Sequence, residues 1–478
     1  MTGAPAHEPQ SPGTERTLSL AHRFAPLLCV AVPILIWFAP VPAEAAARHA
    51  LAIAAFMVLA WITEIIDHAV SGLIGCFLFW ALGIVPFHTA FSGFADATPW
   101  FTLGAMLIGA MTVKSGLARR LAYLIMTRVG VTYPRILLGL LITDLILTVI
   151  VPSGIARIVI LAAIALGLVE AYRVQSGSNV ARGMFLLITY SAALFDKMII
   201  AGASSIAARG LIEANAGIEV QWSQWFLAFL PCDLVTVVAG WVLTLWLFPP
   251  EATEPDGGRK YLDEQHSKIG ALSPMEIKAS LLVAFATVLW MTDFIHHISP
   301  AKIGLGAGLA ALLPGIGLLD TQDVKRLNFL PIFFVASALA MGNVLTATGG
   351  LDLLTKAVFT GMAPLLTGTL AATAVLYWSA FVYHIVLSSD IAMLSTSVPL
   401  LMAFAKEHGF NPLLLGMIWT FSSAGKIFVY QSAVLVVGYS YGYFATRDLF
   451  RFGLLLTIVE FLIVLPVVTL YWPLIGIQ

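Results

Sequence analysis

Long apolar runs, each ended by a short polar word, make up most of the chain. About 20 consecutive apolar residues suffice for a helix to cross a bilayer. On that measure, candidate spans fall at roughly 24–41, 49–66, 69–86, 99–115, 183–201, 224–248, 277–296, 302–319, 329–347, 413–434 and 449–473. The long polar stretch at 249–273 carries Glu251, Asp256, Arg259, Lys260, Asp263, Glu264 and Lys268. Its mixed sign does not fit a nucleic-acid arm, so it reads as a loop joining two halves. The expected division is a polar tail at 1–23, a first transmembrane half at 24–248, a linker at 249–275 and a second half at 276–478.

Two further apolar stretches, near 134–172 and 365–406, are interrupted in the middle. The first breaks at Pro152-Ser153-Gly154 and the second at Ser388-Ser389-Asp390. Proline removes a helix donor and glycine tolerates non-helical dihedrals. Arms of roughly 16 residues reach about 24 Å, short of the roughly 30 Å hydrocarbon layer. Each stretch therefore reads as a re-entrant hairpin with a polar tip, although a kinked span with a self-bonded serine has the same pattern. Irregular backbone at membrane depth is tolerated where protein or a water-filled cavity satisfies it. Half-helix N-termini there present free N–H groups suited to an anionic ligand.

The halves also resemble each other in words. Trp61-Ile-Thr63-Glu64 returns as Trp290-Met-Thr292-Asp293, and Ser115-Gly116-Leu117 as Gly349-Gly350-Leu351. Ser153-Gly154-Ile155-Ala156 returns as Ser389-Asp390-Ile391-Ala392, and Asp196-Lys197-Met198-Ile199 as Gly425-Lys426-Ile427-Phe428. These matches keep one order at nearly one offset, from 229 (61 to 290) to 236 (153 to 389). Duplicated halves, often inverted, are a common build of secondary transporters.

Composition agrees with a bilayer as solvent. The chain of 478 residues is 59% hydrophobic and 11% charged, with a mean hydropathy of +0.93. Soluble chains are about 25% charged. A net charge of −1 offers no field for nucleic acid. Cys29, Cys76 and Cys232 sit singly in apolar runs and read as packing residues. The N-terminus lacks the layout of a cleaved signal peptide, so the first run reads as a retained helix. Basic residues at Arg16, Arg23, Lys114, Arg119, Arg120, Arg128 and Arg135 favour a cytoplasmic N-terminus and central loop in a cell (inner) membrane.

Chemistry concentrates in the ionisable residues within or beside apolar runs: Arg157, Asp196, Lys197, His384, Asp390 and Lys426. Such a group costs roughly 2.5–3.5 kcal/mol to insert, so it normally faces a partner or a cavity. Arg157 lies one turn past the first tip, placed to fork onto a carboxylate. Lys197 and Lys426 occupy equivalent positions in the two halves, either as ligand-binding cations or in ion pairs with Asp196 or Asp390. Asp144 and Glu64 lie nearer span ends and read as structural. No His-Glu-x-x-His, Gly-x-Ser-x-Gly or clustered metal ligands occur, so neither an enzyme nor a metal or other cofactor is expected. Gly304-Leu-Gly306-Ala-Gly308 lies inside a span and reads as a close helix-packing surface.

With those residues in view, roughly 45–475 resembles the divalent-anion/sodium symporter family, which carries di- and tricarboxylates and sulfate. Trp61-Ile-Thr63-Glu64 looks like its Trp-x-Thr-Glu word. The tips Ser153-Gly154-Ile155 and Ser389-Asp390-Ile391 fall where that family has paired Ser-Asn-Thr motifs. Arg157 and His384 resemble residues flanking those motifs in its carboxylate-exchanger branch. The resemblance implies an all-α polytopic membrane protein of two inverted repeats, about eleven transmembrane helices plus two re-entrant hairpins, forming a homodimer and moving its hairpin domain like an elevator. It also implies that the tip residues Ser153, Gly154, Ile155, Ser389, Asp390 and Ile391, with Arg157 and His384, bind a small organic anion, while Asp196, Lys197, Asp390 and Lys426 set charge and coupling.

The departures are as informative. Gly154 and Asp390 replace the tip asparagines, and Ile155 and Ile391 the threonines. After the tips, Phe195-Asp196-Lys197-Met198, Gly202-Ala203-Ser204-Ser205 and Ala424-Gly425-Lys426-Ile427 replace Gly-Thr and Pro-Pro-Asn words. Lost amide and hydroxyl oxygens, with a lysine gained in each half, argue against intact Na⁺ sites. The expected function is sodium-independent exchange of a di- or tricarboxylate. Proton- or sodium-coupled symport, cation–proton antiport through Asp196 and Asp390, and a non-transporting anion sensor are the alternatives.

Overall fold

A computed structural model describes residues 20–40, 44–151, 153–175, 177–197, 199–200, 202–251, 257–359, 361–387 and 389–477. Among these residues the regular structure is entirely helical. Eight helices are long and apolar enough to cross a membrane, or nine with a bent pair counted as one span. Length and hydropathy therefore do not reproduce the expected eleven, because several elements in the bundle are short. Their outward faces are apolar: Leu281 and Phe285 are 67% and 62% exposed. Helices satisfy their own backbone groups, so such a face needs no polar solvent.

Both interrupted stretches are helical hairpins. Helices Tyr133–Ile150 and Gly154–Ala171 flank the first tip, and Thr369–Val386 and Asp390–His408 flank the second. Ser153 is extended (φ −150°, ψ 109°) and its Oγ caps the following helix by accepting from Ala156 N at 3.3 Å. Ser389 is extended too, without a side-chain cap. Arms of 18 and 19 residues are slightly longer than expected.

Two expected spans, 183–201 and 413–434, are not continuous helices. The first ends at Leu194, passes through a single turn at Phe195–Lys197 and resumes as Ala203–Ala216. The second runs Pro412–Ser422 and resumes as Ala433–Ser440. Small and hydroxyl residues at Gly202-Ala203-Ser204-Ser205 and Ser422-Ser423-Ala424-Gly425 weaken the helix by competing for backbone bonds and widening backbone freedom.

The linker expected as a loop contains a helix, Gly258–Ile269, whose Tyr261 hydroxyl lies 3.3 Å from that of Tyr123. Nearby, Arg120 Nε donates to Glu276 Oε1 at 2.6 Å and its Nη1 to Gly270 O at 2.9 Å. At the linker's start, Glu251 accepts from Asn179 N and so caps helix Asn179–Leu194. Helices Leu117–Val129 and Gly350–Phe359 also fall outside the expected spans. The former turns 64° away from Ala97–Lys114 at Gly116, whose φ of 85° suits glycine.

Packing exchanges elements between the halves reciprocally. Ala97–Lys114 packs on Pro300–Ala310, while Leu330–Ala347 packs on His68–Ala81. Gly154–Ala171 packs on Ala433–Ser440, while Asp390–His408 packs on Ala203–Ala216. The repeated tryptophan word has one local role in both halves. Trp61 Nε1 donates to His68 O and Trp290 Nε1 to Pro300 O, each at 3.1 Å, fastening the first residue of helices His68–Ala81 and Pro300–Ala310.

The glycines of the 304–308 stretch make the first of those contacts. A Cβ on Gly104 would meet Gly304 backbone at 2.5 Å, and one on Gly308 would meet Gly104 O at 2.8 Å. Nothing lies within 4 Å of a Cβ on Gly306. Gly104→Val is expected to destabilise the protein by about 1–3 kcal/mol or more, read as a lowered melting temperature in detergent. Gly306→Ala should leave that temperature unchanged.

Candidate anion site

The two helix breaks carry lysines to one point. Lys197 ends the turn after Leu194, and its backbone carbonyl accepts from Trp225 Nε1 at 2.9 Å. Lys426 lies beyond Ser422, its N–H donating to Tyr190 Oη at 3.2 Å. A Cβ on Gly453 would lie 2.0 Å from Lys426 O, so absence of a side chain there lets the two segments touch. Gln431 fixes the same segment: its Oε1 accepts from Ile427 N and Phe428 N at 2.7 and 2.8 Å. Its Nε2 donates to His384 O at 3.3 Å, tying the second break to the second hairpin.

Asp390 meets both lysines. Its Oδ1 accepts from Lys197 Nζ at 3.1 Å and lies 3.3 Å from Lys426 Nζ. His384 Nε2 lies 3.3 Å from the same oxygen. Lys426 Nζ also donates to Ser423 O at 3.1 Å. The lysine and histidine side chains are buried, whereas that of Asp390 retains 13% exposure. Asp390 is also the first residue of its helix, where a negative charge meets the positive end of the backbone dipole. The arrangement gathers two lysines and an imidazole around one carboxylate oxygen of the chain itself.

Arg157 is placed differently. Its Nε donates to Asp144 Oδ1 at 3.0 Å, Nη1 to Val151 O at 3.2 Å and Nη2 to Ala192 O at 2.7 Å. Asp144 Oδ2 in turn accepts from Ser191 Oγ at 2.6 Å. Both ion-pair partners are fully buried. The guanidinium thus joins the two arms of the first hairpin to the first broken helix, a brace in place of the ligand fork that its position after the tip implied. Among the described residues, no hydrogen bond joins Ser153 to the Asp390 group. Gly154 is buried, Ile155 is 44% exposed, and Ser389 and Ile391 are half-buried. The side chain of Asp196, and all of Pro152 and Ser388, lie outside the described residues.

Several supporting residues have little sequence signal. Tyr190 and Gln431 sit in short polar words, Thr189-Tyr190-Ser191 and Tyr430-Gln431-Ser432, and their roles emerge from contacts over long separations. Asp233 and Glu460 are buried carboxyls within long apolar helices, outside every recurring word. Asp293, of the second tryptophan word, accepts from Trp222 N at 2.6 Å and from Ser223 Oγ, capping helix Trp222–Leu247. Among the described residues, no group of three His, Cys, Asp or Glu is arranged to hold a metal ion.

The family described as the sodium:sulfate symporter transmembrane region matches residues 21–478. A citrate/succinate antiporter of Escherichia coli (strain K12) is 24% identical over 80% of each chain. The chloroplastic dicarboxylate transporter 1 of Arabidopsis thaliana is 24% identical over 95% of this chain and 83% of its own. A solved structure of Neisseria gonorrhoeae MtrF, described as illuminating a class of antimetabolite efflux pumps, shares the fold with a TM-score of 0.56. It covers 94% of both chains at 11% identity. The match across nearly the whole chain, on a helical bundle with apolar outer faces, makes this protein a multi-pass membrane transporter belonging to the sodium:sulfate symporter family.

Proposed function

We propose that the protein exchanges small organic dianions or trianions, di- or tricarboxylates, across a cell (inner) membrane without sodium. The observation that carries this reading is the convergence of Lys197 and Lys426, one from each half, on Asp390 Oδ1. A tethered ammonium cannot leave, so it supplies fixed positive charge where a coupled cation would have to bind and dissociate. Asp390 neutralises part of that charge when no substrate is present. An incoming carboxylate replaces it on the lysines, with His384, the tip backbone and Ser153 and Ser389 as further donors.

Exchange follows if the hairpin domain crosses the bilayer with substrate bound, by an elevator-type movement within a homodimer. The lysines must be matched by an external anion for that crossing to be fast. The carboxylate relatives support this substrate class, and the basic residues favour a cytoplasmic N-terminus.

In proteoliposomes, uptake of radiolabelled succinate or citrate is expected to need internal unlabelled anion and to be the same with Na⁺ or choline outside. Uptake that scales with an imposed Na⁺ gradient would sink the lysine-for-sodium reading. Thermal stabilisation by these anions without flux would favour a sensor instead.

A further inference from the structure

Behind the lysines, helices Trp222–Leu247 and Thr446–Pro466 close the two halves against each other. They run antiparallel. A Cβ on Gly240 would touch Phe452 and Leu456, each within 3.9 Å, while Leu227 O accepts from Tyr471 Oη and Ala228 O from Trp472 Nε1. Continued seven residues from the Gly240 contact, that register sets Asp233 (240 − 7) opposite the turn 459–463 (452 + 7 to 456 + 7), where Glu460 shares the face of Phe452 and Leu456. Their separation, 227 residues (233 to 460), is close to the offset between Lys197 and Lys426, 229. Equivalent positions of the two halves therefore bring carboxyls to one crossing.

Both carboxyls are buried, at 1% and 0% exposure. Asp233 Oδ2 and Glu460 Oε1 have no hydrogen-bond partner among the described residues. One turn from Asp233, the buried Thr236 Oγ1 is also unpartnered and lines a small internal cavity with Tyr190 and Ser191. The groups around the pair are known. Tyr377, from the second hairpin, donates to Thr457 O at 2.9 Å and lies 3.4 Å from Glu460 Oε2. Tyr190 faces from the first broken helix and Cys232 from the helix of Asp233. Among the described residues, Lys197 and Lys426 form ion pairs with Asp390 and with neither of these carboxyls. Two carboxyls facing in an apolar crossing cannot both ionise readily, and a proton supplies the donor that their bare oxygens lack.

We propose that Asp233 and Glu460 form a proton-binding pair whose occupancy is linked to anion binding at Lys197 and Lys426. This rests on the exchange reading of the lysine site. With one carboxyl of the pair ionised, its negative charge offsets the lysines. Substrate brings further negative charge, so binding draws a proton onto the pair, with no covalent change beyond O–H formation. By linkage, protons taken up on binding make affinity rise as pH falls, by at most about 10-fold per pH unit for one proton.

Succinate and citrate binding to the full-length protein in detergent should be followed calorimetrically at pH 7.5, in potassium buffers of different ionisation enthalpy. Wild-type protein is expected to take up protons on binding. The Asp233→Asn/Glu460→Gln protein is expected to bind with most of that uptake lost. Should the double variant not fold, Asp233→Asn and Glu460→Gln are measured singly, each with reduced uptake expected. Wild-type binding without proton uptake, or equal uptake in the variants, overturns the proposal. Uptake that disappears when Na⁺ replaces K⁺ also overturns it, by making the ligand of the pair a metal cation. Failure of both anions to bind wild-type protein overturns the exchange reading itself, and the linkage with it.

Discussion

Lys197→Met and Lys426→Met are each expected to lower carboxylate exchange by about 30-fold or more, because truncating one partner of a buried charged cluster costs roughly 2–5 kcal/mol. The ammonium groups share Asp390 Oδ1 at 3.1 and 3.3 Å, so losing either weakens the hold on any carboxylate that takes its place. Asp390→Asn separates two roles for the aspartate. If Asp390 is the internal competitor, the asparagine variant binds succinate more tightly, since the lysines no longer satisfy a built-in anion. Weaker binding in that variant would instead make Asp390 a contributor to the substrate site. Equilibrium binding in detergent, alongside counterflow in vesicles, distinguishes the outcomes.

The second large effect concerns stability. Arg157→Met or Asp144→Asn is expected to destabilise the protein by about 3–5 kcal/mol, the usual consequence of leaving a buried charge without its partner. The residues bond at 3.0 Å with no solvent exposure, and Ser191 holds the far carboxylate oxygen. Replacing both together, Arg157→Met with Asp144→Leu, should recover part of the loss, since the two charges of that pair are then removed together. Melting temperatures of the purified variants test this. A substrate-binding Arg157 would behave differently: Arg157→Met would keep its melting temperature and lose anion affinity.

Arg157 also shows how little of a side chain's surroundings a motif position specifies. Its place one turn after the first tip is legible, as is the likeness to an arginine of the exchanger branch. Which carboxylate it meets depends on Asp144, in the opposite arm of the hairpin, and on Ser191, 47 residues from Asp144. A linear pattern does not encode such meetings. The helix breaks show the same limit in milder form. Small residues near 202–205 and 422–425 mark weak helix, yet hydropathy runs through both and reads as continuous spans. The linker helix Gly258–Ile269 escapes notice because its face is covered by side chains from distant elements, including Tyr123 and Tyr172.

The amino-acid sequence by itself determined the solvent, the helical class, the interrupted hairpins and the equivalence of Lys197 with Lys426. Hydropathy and helix-breaking residues act locally, and the recurring words keep one order along the chain. Tertiary structure alone decided that both lysines reach one carboxylate oxygen, that Arg157 is braced by Asp144, and that Asp233 and Glu460 are buried with oxygens unpartnered among the described residues. Charges at membrane depth must find partners, and the partner is chosen by which faces the halves bury against each other, a choice made across some 200 residues of chain (Lys197 to Asp390, |i−j| = 193).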